Sequence, residues 1–254
     1  MKQQKQKIVM LTSYDYTTAQ VLNAAGVDVL LVGDSLGMVK LGYPTTLPVT
    51  MEDMVYHTRI VAKGNSHALL VTDMPYLSYQ VSPKQAVENS GRMLKAGAEA
   101  VKLEGGKEII PAIEALRRAK IPVMGHLGMT PQSVHVFGGY KVQARERAAV
   151  KQLVSDAKAI EKAGVFAIVL ECVPETAAKA VTKAVSIPTI GIGAGVGCDG
   201  QVLVIDDLIG WTPEPLPRFV RRYANLRQTV HQAATQFGRD VRSGKFPGPE
   251  NIYR

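Results

Sequence analysis

The sequence predicts a (β/α)8, or TIM, barrel folded as one domain over residues 1–254, and three observations predict it. Short β-branched runs alternate with longer stretches of helical period, the pattern of parallel strands joined by crossover helices. The segments AAGVDVLLVGD (24–34), KAGAEAVKLEG (95–105) and KAGVFAIVLE (162–171) repeat one another, each a helix-ending Ala-Gly followed by an apolar strand. The chain of 254 residues is also the size of one such barrel, about 250 residues. An eight-stranded doubly wound sheet is the competing arrangement. Even spacing favours closure: Gly26, Gly97 and Gly164 are separated by about two βα units each time.

Taken in order, strand one is expected at 7–14 and a helix at 17–25, closed by the first Ala-Gly. Strand two (27–34) leads into a loop rich in Gly, Pro and Thr (36–49), then a helix at 50–63. Strand three (67–73), a helix at 83–96 and strand four (98–104) follow, with Gly97 placed to take the left-handed turn out of its helix. A helix at 109–119 precedes strand five (121–126), whose IPVMG is echoed by IPTIG in strand seven (187–192). Between these lie a second long loop (127–144), a helix at 145–163, strand six (165–171) and a helix at 174–185. The helix after strand seven is the weak point of the pattern, because only Gly193–Gly200 separate that strand from strand eight (201–206). A long basic helix at about 217–243 ends the chain. Both long loops follow strands, on the side where barrels build active sites, and are read as lids or as contacts between subunits.

Composition narrows the function classes. The net charge of +8 raises the question of nucleic acid, but the charge sits at the ends. Residues 1–7 carry three Lys, and residues 218–254 carry eight Lys or Arg against Asp240 and Glu250. Residues 8–217 carry 19 basic against 20 acidic residues, so the body is electrically balanced. The basic helix reads as a solvated face or a subunit contact, and no nucleic-acid partner is expected. Two cysteines, Cys172 and Cys198, build no disulfide framework and have no zinc-ligand spacing. The basic start MKQQKQK meets only a short apolar run, so neither a signal peptide nor a membrane partner is expected and a cytoplasmic location is.

The chemistry lies at the strand ends. Asp34 and Ser35 end strand two, Asp73 strand three, Lys102 and Glu104 strand four, His126 strand five and Glu171 strand six. In a barrel these positions surround one mouth. Neighbouring strands lie about 4.8 Å apart, so Asp34 and Asp73 can share one ion, and Lys102 and Glu104, two residues apart, leave the same strand face. Oxygen ligands without Cys or paired His select a hard cation, Mg²⁺ above all. A 2-oxo acid can chelate such an ion through its keto and carboxylate oxygens, and the ion stabilises the enolate formed when the adjacent C–H loses its proton. Lys102 would offset the substrate carboxylate, and Glu171 is the carboxylate left to remove the proton.

Each residue has a plainer reading. A strand-end acid can cap the next helix or pair with a base, Lys102 can pair with Glu104, and His126 has no spaced partner. His57, His67, His135 and His231 read as structural or exposed. GIGAGVG (191–197) is not a dinucleotide fingerprint in any register, because Val196 and Cys198 stand where the third glycine is required.

The chain resembles the ketopantoate hydroxymethyltransferase family along its length. The resemblance is carried by MLTSYDY (10–16), VGDSLGMV (32–39), LPVT-x-x-x-M-x-YHT (47–58), TDMPY (72–76), VKLEGG (101–106), GHLGMTPQ (125–132), GGYKVQ (138–143), GIGAG (191–195) and CDGQVLV (198–204). It implies transfer of a hydroxymethyl group from 5,10-methylenetetrahydrofolate to 3-methyl-2-oxobutanoate, giving 2-dehydropantoate in pantothenate biosynthesis. By the same resemblance Asp34, Asp73 and Glu104 form the Mg²⁺ site, Ser35 and Lys102 join Asp34 and Asp73 around the 2-oxo acid, and Glu171 accepts the proton. It also implies a large homo-oligomer, commonly a decamer. Ala144 departs from the Gly expected after KVQ, and 211–219 is less typical than the rest. The competing enzyme class is a Mg²⁺-dependent 2-oxo acid lyase or aldolase of the phosphoenolpyruvate/pyruvate barrel type, which would use a mouth-loop cysteine.

Overall fold

Every second residue of the strands is apolar and faces a common axis. Met10, Leu31, Val71, Met124, Val169 and Ile190 meet there in one buried cluster. The computed structural model, which describes residues 1–253, closes this pattern into a barrel of eight parallel strands in sequence order. β1 (Ile8–Thr12) pairs with both β2 (Val29–Val32) and β8 (Gly200–Leu203), which excludes the open doubly wound sheet. Between them come β3 (Leu69–Asp73), β4 (Ala100–Glu104), β5 (Val123–Gly128), β6 (Ala167–Glu171) and β7 (Thr189–Ile192).

The helices are α1 (Tyr16–Ala24), the short α2 (Leu36–Val39), α3 (Met51–Gly64), α4 (Pro83–Lys95), α5 (Ile110–Arg118), α6 (Arg147–Ala163) and α7 (Glu175–Ala184). Local chemistry sets their ends. Thr50 and Asp53 form a reciprocal capping box at α3, and Ser82 caps α4, whose first residue is Pro83. Gly26, Gly97 and Gly164 have φ of 75°, 112° and 117°, so the repeated Ala-Gly does turn the chain out of three helices.

Among the described residues, β8 follows β7 with no helix between them, at the point where the repeating pattern is weakest. The loop at 36–49 is shorter than expected, because its first residues wind into α2.

The barrel lies within Met1–Val204, and the residues from Ile205 onward make a second compact unit. That unit contains α8 (Ile205–Leu208) and α9 (Leu226–Arg242). The basic helix thus starts at Leu226, not near 217. Pro213, Pro215 and Pro217 supply no backbone donors upstream, and Asn225 provides the cap by accepting from the Gln228 N–H. No helix among the described residues is long and apolar enough to cross a membrane.

Candidate active site

The two-residue period that buries the apolar cluster turns polar in its top layer. Val71 is followed by Asp73, Ala100 by Lys102 and Glu104, Met124 by His126, and Val169 by Glu171. Strand register sets Asp73 opposite Lys102 and Glu104 opposite His126. The sequence-predicted residues therefore share one mouth, above a floor that excludes water.

Lys102 Nζ lies 2.9 Å from Asp73 Oδ1, with both side chains buried. Burial works to neutralise this lysine, but Asp73, Glu104 and Asp34 outweigh it and hold its pKa above the usual value. Asp34 stands in the opposite position. Burial first, then repulsion from Asp73 and Glu104, raises its pKa well above the ordinary carboxylate value. Its N–H donates to Asp73 Oδ2 at 3.0 Å, joining the ends of β2 and β3. Gly33 leaves room for the neighbouring serine, since a Cβ there would come within 2.7 Å of Ser35 Oγ. Ser35 Oγ itself shares a hydrogen bond of 2.8 Å with the Tyr14 hydroxyl.

His126 joins the two glutamates. Nδ1 lies 3.3 Å from Glu104 Oε1 and 3.2 Å from Lys102 Nζ, while Nε2 lies 3.2 Å from Glu171 Oε2. Burial and Lys102 work to lower its pKa, but hydrogen bonding to Glu104 and Glu171 raises it to about 9. Glu171 is the most open of these acids, 17% exposed at the side chain. The residue after it, Cys172, holds a left-handed φ of 46°, the strained backbone often found beside reacting groups.

Two residues that sequence reasoning did not single out complete the network. Gln132 Nε2 donates to Asp34 Oδ2 and to Met74 O, each at 2.9 Å, and its N–H donates to Glu104 Oε2 at 2.9 Å. The Tyr79 hydroxyl, 1% exposed as a residue, donates to Glu104 O and lies 3.2 Å from Gln132 Oε1. Neither stands at a strand end, so the signal that found the others could not find them. The two long loops meet where the Tyr140 hydroxyl reaches Met38 Sδ at 3.4 Å. Burial, then Glu171, Asp34 and Glu104, pushes that phenol's pKa up.

Among the described residues no three His, Cys, Asp or Glu side chains form a ready-made metal cage. His126 and Gln132 instead occupy acceptors of Glu104 and Asp34, and Lys102 lies against Asp73. A closed cage is not what Mg²⁺ needs, because it is usually held by one or two carboxylates and keeps several waters. The donor set fits that use: oxygen only, with an excess of buried negative charge registered at Asp34. Asp73 Oδ1 also fits, being buried with no well-directed hydrogen bond despite the nearby lysine. The thiols do not suit nucleophilic work. Burial, then Glu171, pushes Cys172 up to about 12, and burial raises Cys198 as well.

A closed parallel barrel with buried acids and a lysine at the carboxyl ends of its strands defines a (β/α)8-barrel enzyme acting on a small polar molecule. Solved structures agree on the fold. A phosphonopyruvate hydrolase solved with oxalate and Mg²⁺ is 14% identical, with 98% of this chain and 90% of that chain covered and a TM-score of 0.64. A 2,3-dimethylmalate lyase of the PEP mutase/isocitrate lyase superfamily is 16% identical, with 98% and 89% covered and a TM-score of 0.63. The ketopantoate hydroxymethyltransferase family model matches residues 1–249. The 3-methyl-2-oxobutanoate hydroxymethyltransferase of Enterococcus faecalis is 53% identical over 254 residues, all of this chain and 92% of the relative. That of Syntrophus aciditrophicus is also 53% identical, over all of this chain and 93% of the relative. The chain belongs to the ketopantoate hydroxymethyltransferase family and is an enzyme of the hydroxymethyltransferase class.

Proposed function

We propose that the enzyme transfers a hydroxymethyl group from 5,10-methylenetetrahydrofolate to 3-methyl-2-oxobutanoate, forming 2-dehydropantoate on the route to pantothenate. The observation that carries this reading is the buried Asp73–Lys102 pair beside the crowded Asp34, in a chain that matches its family from end to end. Asp34 and Asp73 would hold Mg²⁺, with Glu104 as the third carboxylate of the site although its own oxygens face His126 and Gln132. Bound there, the ion supplies positive charge for the keto oxygen as it gains electron density. Lys102 faces the substrate carboxylate, and Ser35, oriented by Tyr14, donates or accepts at the 2-oxo acid. Glu171 takes the C3 proton, with His126 fixing the carboxylate from behind. Water adds to the one-carbon unit and both of its carbon–nitrogen bonds break, releasing formaldehyde and tetrahydrofolate; C3 then bonds to the formaldehyde carbon, and the oxygen takes back a proton from Glu171 to become the hydroxymethyl group.

The reading includes one domain of 254 residues working in the cytoplasm as a homo-oligomer, a decamer if it follows its family. Leu226, Val230, Phe237 and Val241 of α9 recur at helical spacing and are exposed, which suits a contact with a neighbouring copy. The test is direct: with 3-methyl-2-oxobutanoate, 5,10-methylenetetrahydrofolate and Mg²⁺, the purified chain forms 2-dehydropantoate, detected by mass spectrometry. No product under any metal condition overturns the assignment.

A further inference from the structure

Beside the carboxylate cluster, a cavity of about 480 Å³ opens between the β4–α5 and β5–α6 connections. Its size is that of a small-molecule site. Glu104 and Gln132 belong to both, so the cavity and the mouth share a wall. The lining contains three carboxylates, Glu104, Glu108 and Asp156, and no lysine, arginine or histidine. That charge pattern repels a 2-oxo acid and the glutamyl tail of a folate alike. It suits a flat, neutral heterocycle that presents hydrogen-bond donors.

We propose that the cavity binds the pterin head of the one-carbon donor, with Asp156 taking its aminopyrimidinone edge; this rests on the hydroxymethyl-transfer reading above. The three acids are not equivalent. Glu104 is committed to Gln132 and His126, and Glu108 is an exposed side chain whose Oε1 accepts the Gly106 N–H at 2.7 Å. Asp156 is half-buried in the wall and accepts from Gln152 Nε2 at 2.9 Å through Oδ1, which leaves a second lone pair on Oδ1 and both on Oδ2 to a ligand. Its carboxylate lies against Gly106, where an added Cβ would come within 2.9 Å of Cγ, so the bare backbone there is what lets the acid hold its place in the cavity wall. The 2-amino and N3–H groups of a pterin are parallel donors that match the two oxygens of one carboxylate. Ile109, Phe137 and Leu153 supply apolar walls for the ring. Held by that edge, the ring turns its opposite side, which carries the one-carbon unit, toward Glu104 and the chelated 2-oxo acid.

The test measures binding of tetrahydrofolate and of tail-less 6-methyltetrahydropterin to the full chain by anaerobic calorimetry. Wild type binds both. Asp156→Asn keeps the shape but converts one acceptor to a donor, and weakens both ligands by about ten- to a hundredfold. Ala149→Trp, at an exposed position of α6 lining the cavity, fills it and blocks both. Circular dichroism and retained binding of 3-methyl-2-oxobutanoate show that each variant is folded. If both variants bind tetrahydrofolate as wild type does, the pterin lies elsewhere and the proposal falls, while the transfer reading stands. If wild type binds neither ligand, both fall.

Discussion

Gln132 Nε2 donates to Asp34 Oδ2 at 2.9 Å, tying a loop side chain to a strand-end carboxylate 98 positions away. Because its N–H also holds Glu104, this one residue sets the spacing of two acids that repel each other. Gln132→Leu strips a buried donor from Asp34, at a cost of about 1–3 kcal/mol. Gln132→Glu adds a further buried acid and costs more. Urea unfolding checks both: the midpoint falls in that order with the slope unchanged. Equal midpoints for Gln132→Glu and wild type would remove Gln132 from its bridging role.

Asp34 and Asp73 differ in what they do before any metal arrives. Asp73 neutralises Lys102, so Asp73→Asn strands a buried cation and destabilises the metal-free chain by about 3–5 kcal/mol. Asp34 is itself disfavoured as an anion, so Asp34→Asn leaves the metal-free melting temperature unchanged or raises it. Both variants lose Mg²⁺-dependent binding of the 2-oxo acid. Calorimetry that found such binding intact in both would end the metal assignment.

Glu161 carries a pH dependence remote from the site. Burial opposes its charge, but the Ser186 hydroxyl and the Ser186 and Ile187 N–H groups outweigh it and hold the carboxyl below the ordinary glutamate value. A folded pKa below the unfolded one means that the unfolded chain binds more protons between the two. The stability this contributes is present above the unfolded value near 4.5 and is lost as pH falls through the folded one. Between about pH 6 and pH 3 the wild type therefore loses more stability than Glu161→Gln. Parallel melting curves over that range would show the carboxylate contributes nothing.

What the sequence made legible follows one rule, the two-residue period of a strand. That period carried Asp73, Lys102, Glu104, His126 and Glu171 to the mouth together, because a residue's face is set by its parity once the strand is recognised. Gln132 and Tyr79 obey no such rule: each lies in a connection whose path depends on what it packs against. The start of α9 at Leu226 is hidden for a similar reason, since the apolar spacing does not reveal that the cap is Asn225. Ala144, where the family resemblance expects Gly, has a φ of 53°, a left-handed position that Gly takes without strain.

Glu171 and Glu104 both contact the His126 ring, one at each nitrogen, so the ring alone does not say which acid removes the proton. Their surroundings differ. Glu104 is buried, hydrogen-bonded by Gln132 N–H through Oε2, and two residues from Lys102, so its charge is spent within the cationic side of the mouth. Glu171 is more exposed and sits on β6, two strands farther round, where it can meet a chelated substrate from the side away from Asp34 and Asp73. Its Oε2 lies 3.2 Å from His126 Nε2, so the ring holds the acid at one oxygen. Glu171→Gln keeps the shape and removes the basicity. It should leave Mg²⁺-dependent 2-oxo acid binding within a few-fold of wild type, while slowing exchange of the C3 proton with D₂O by roughly 10² to 10⁴, the range for a general base. Glu104→Gln should raise the Mg²⁺ concentration needed before it changes the exchange rate at saturating metal. Proton NMR of the C3 signal measures both. Exchange at the wild-type rate in Glu171→Gln would move the role of base to His126 or to water, and slow exchange in Glu104→Gln at saturating Mg²⁺ would move it to Glu104.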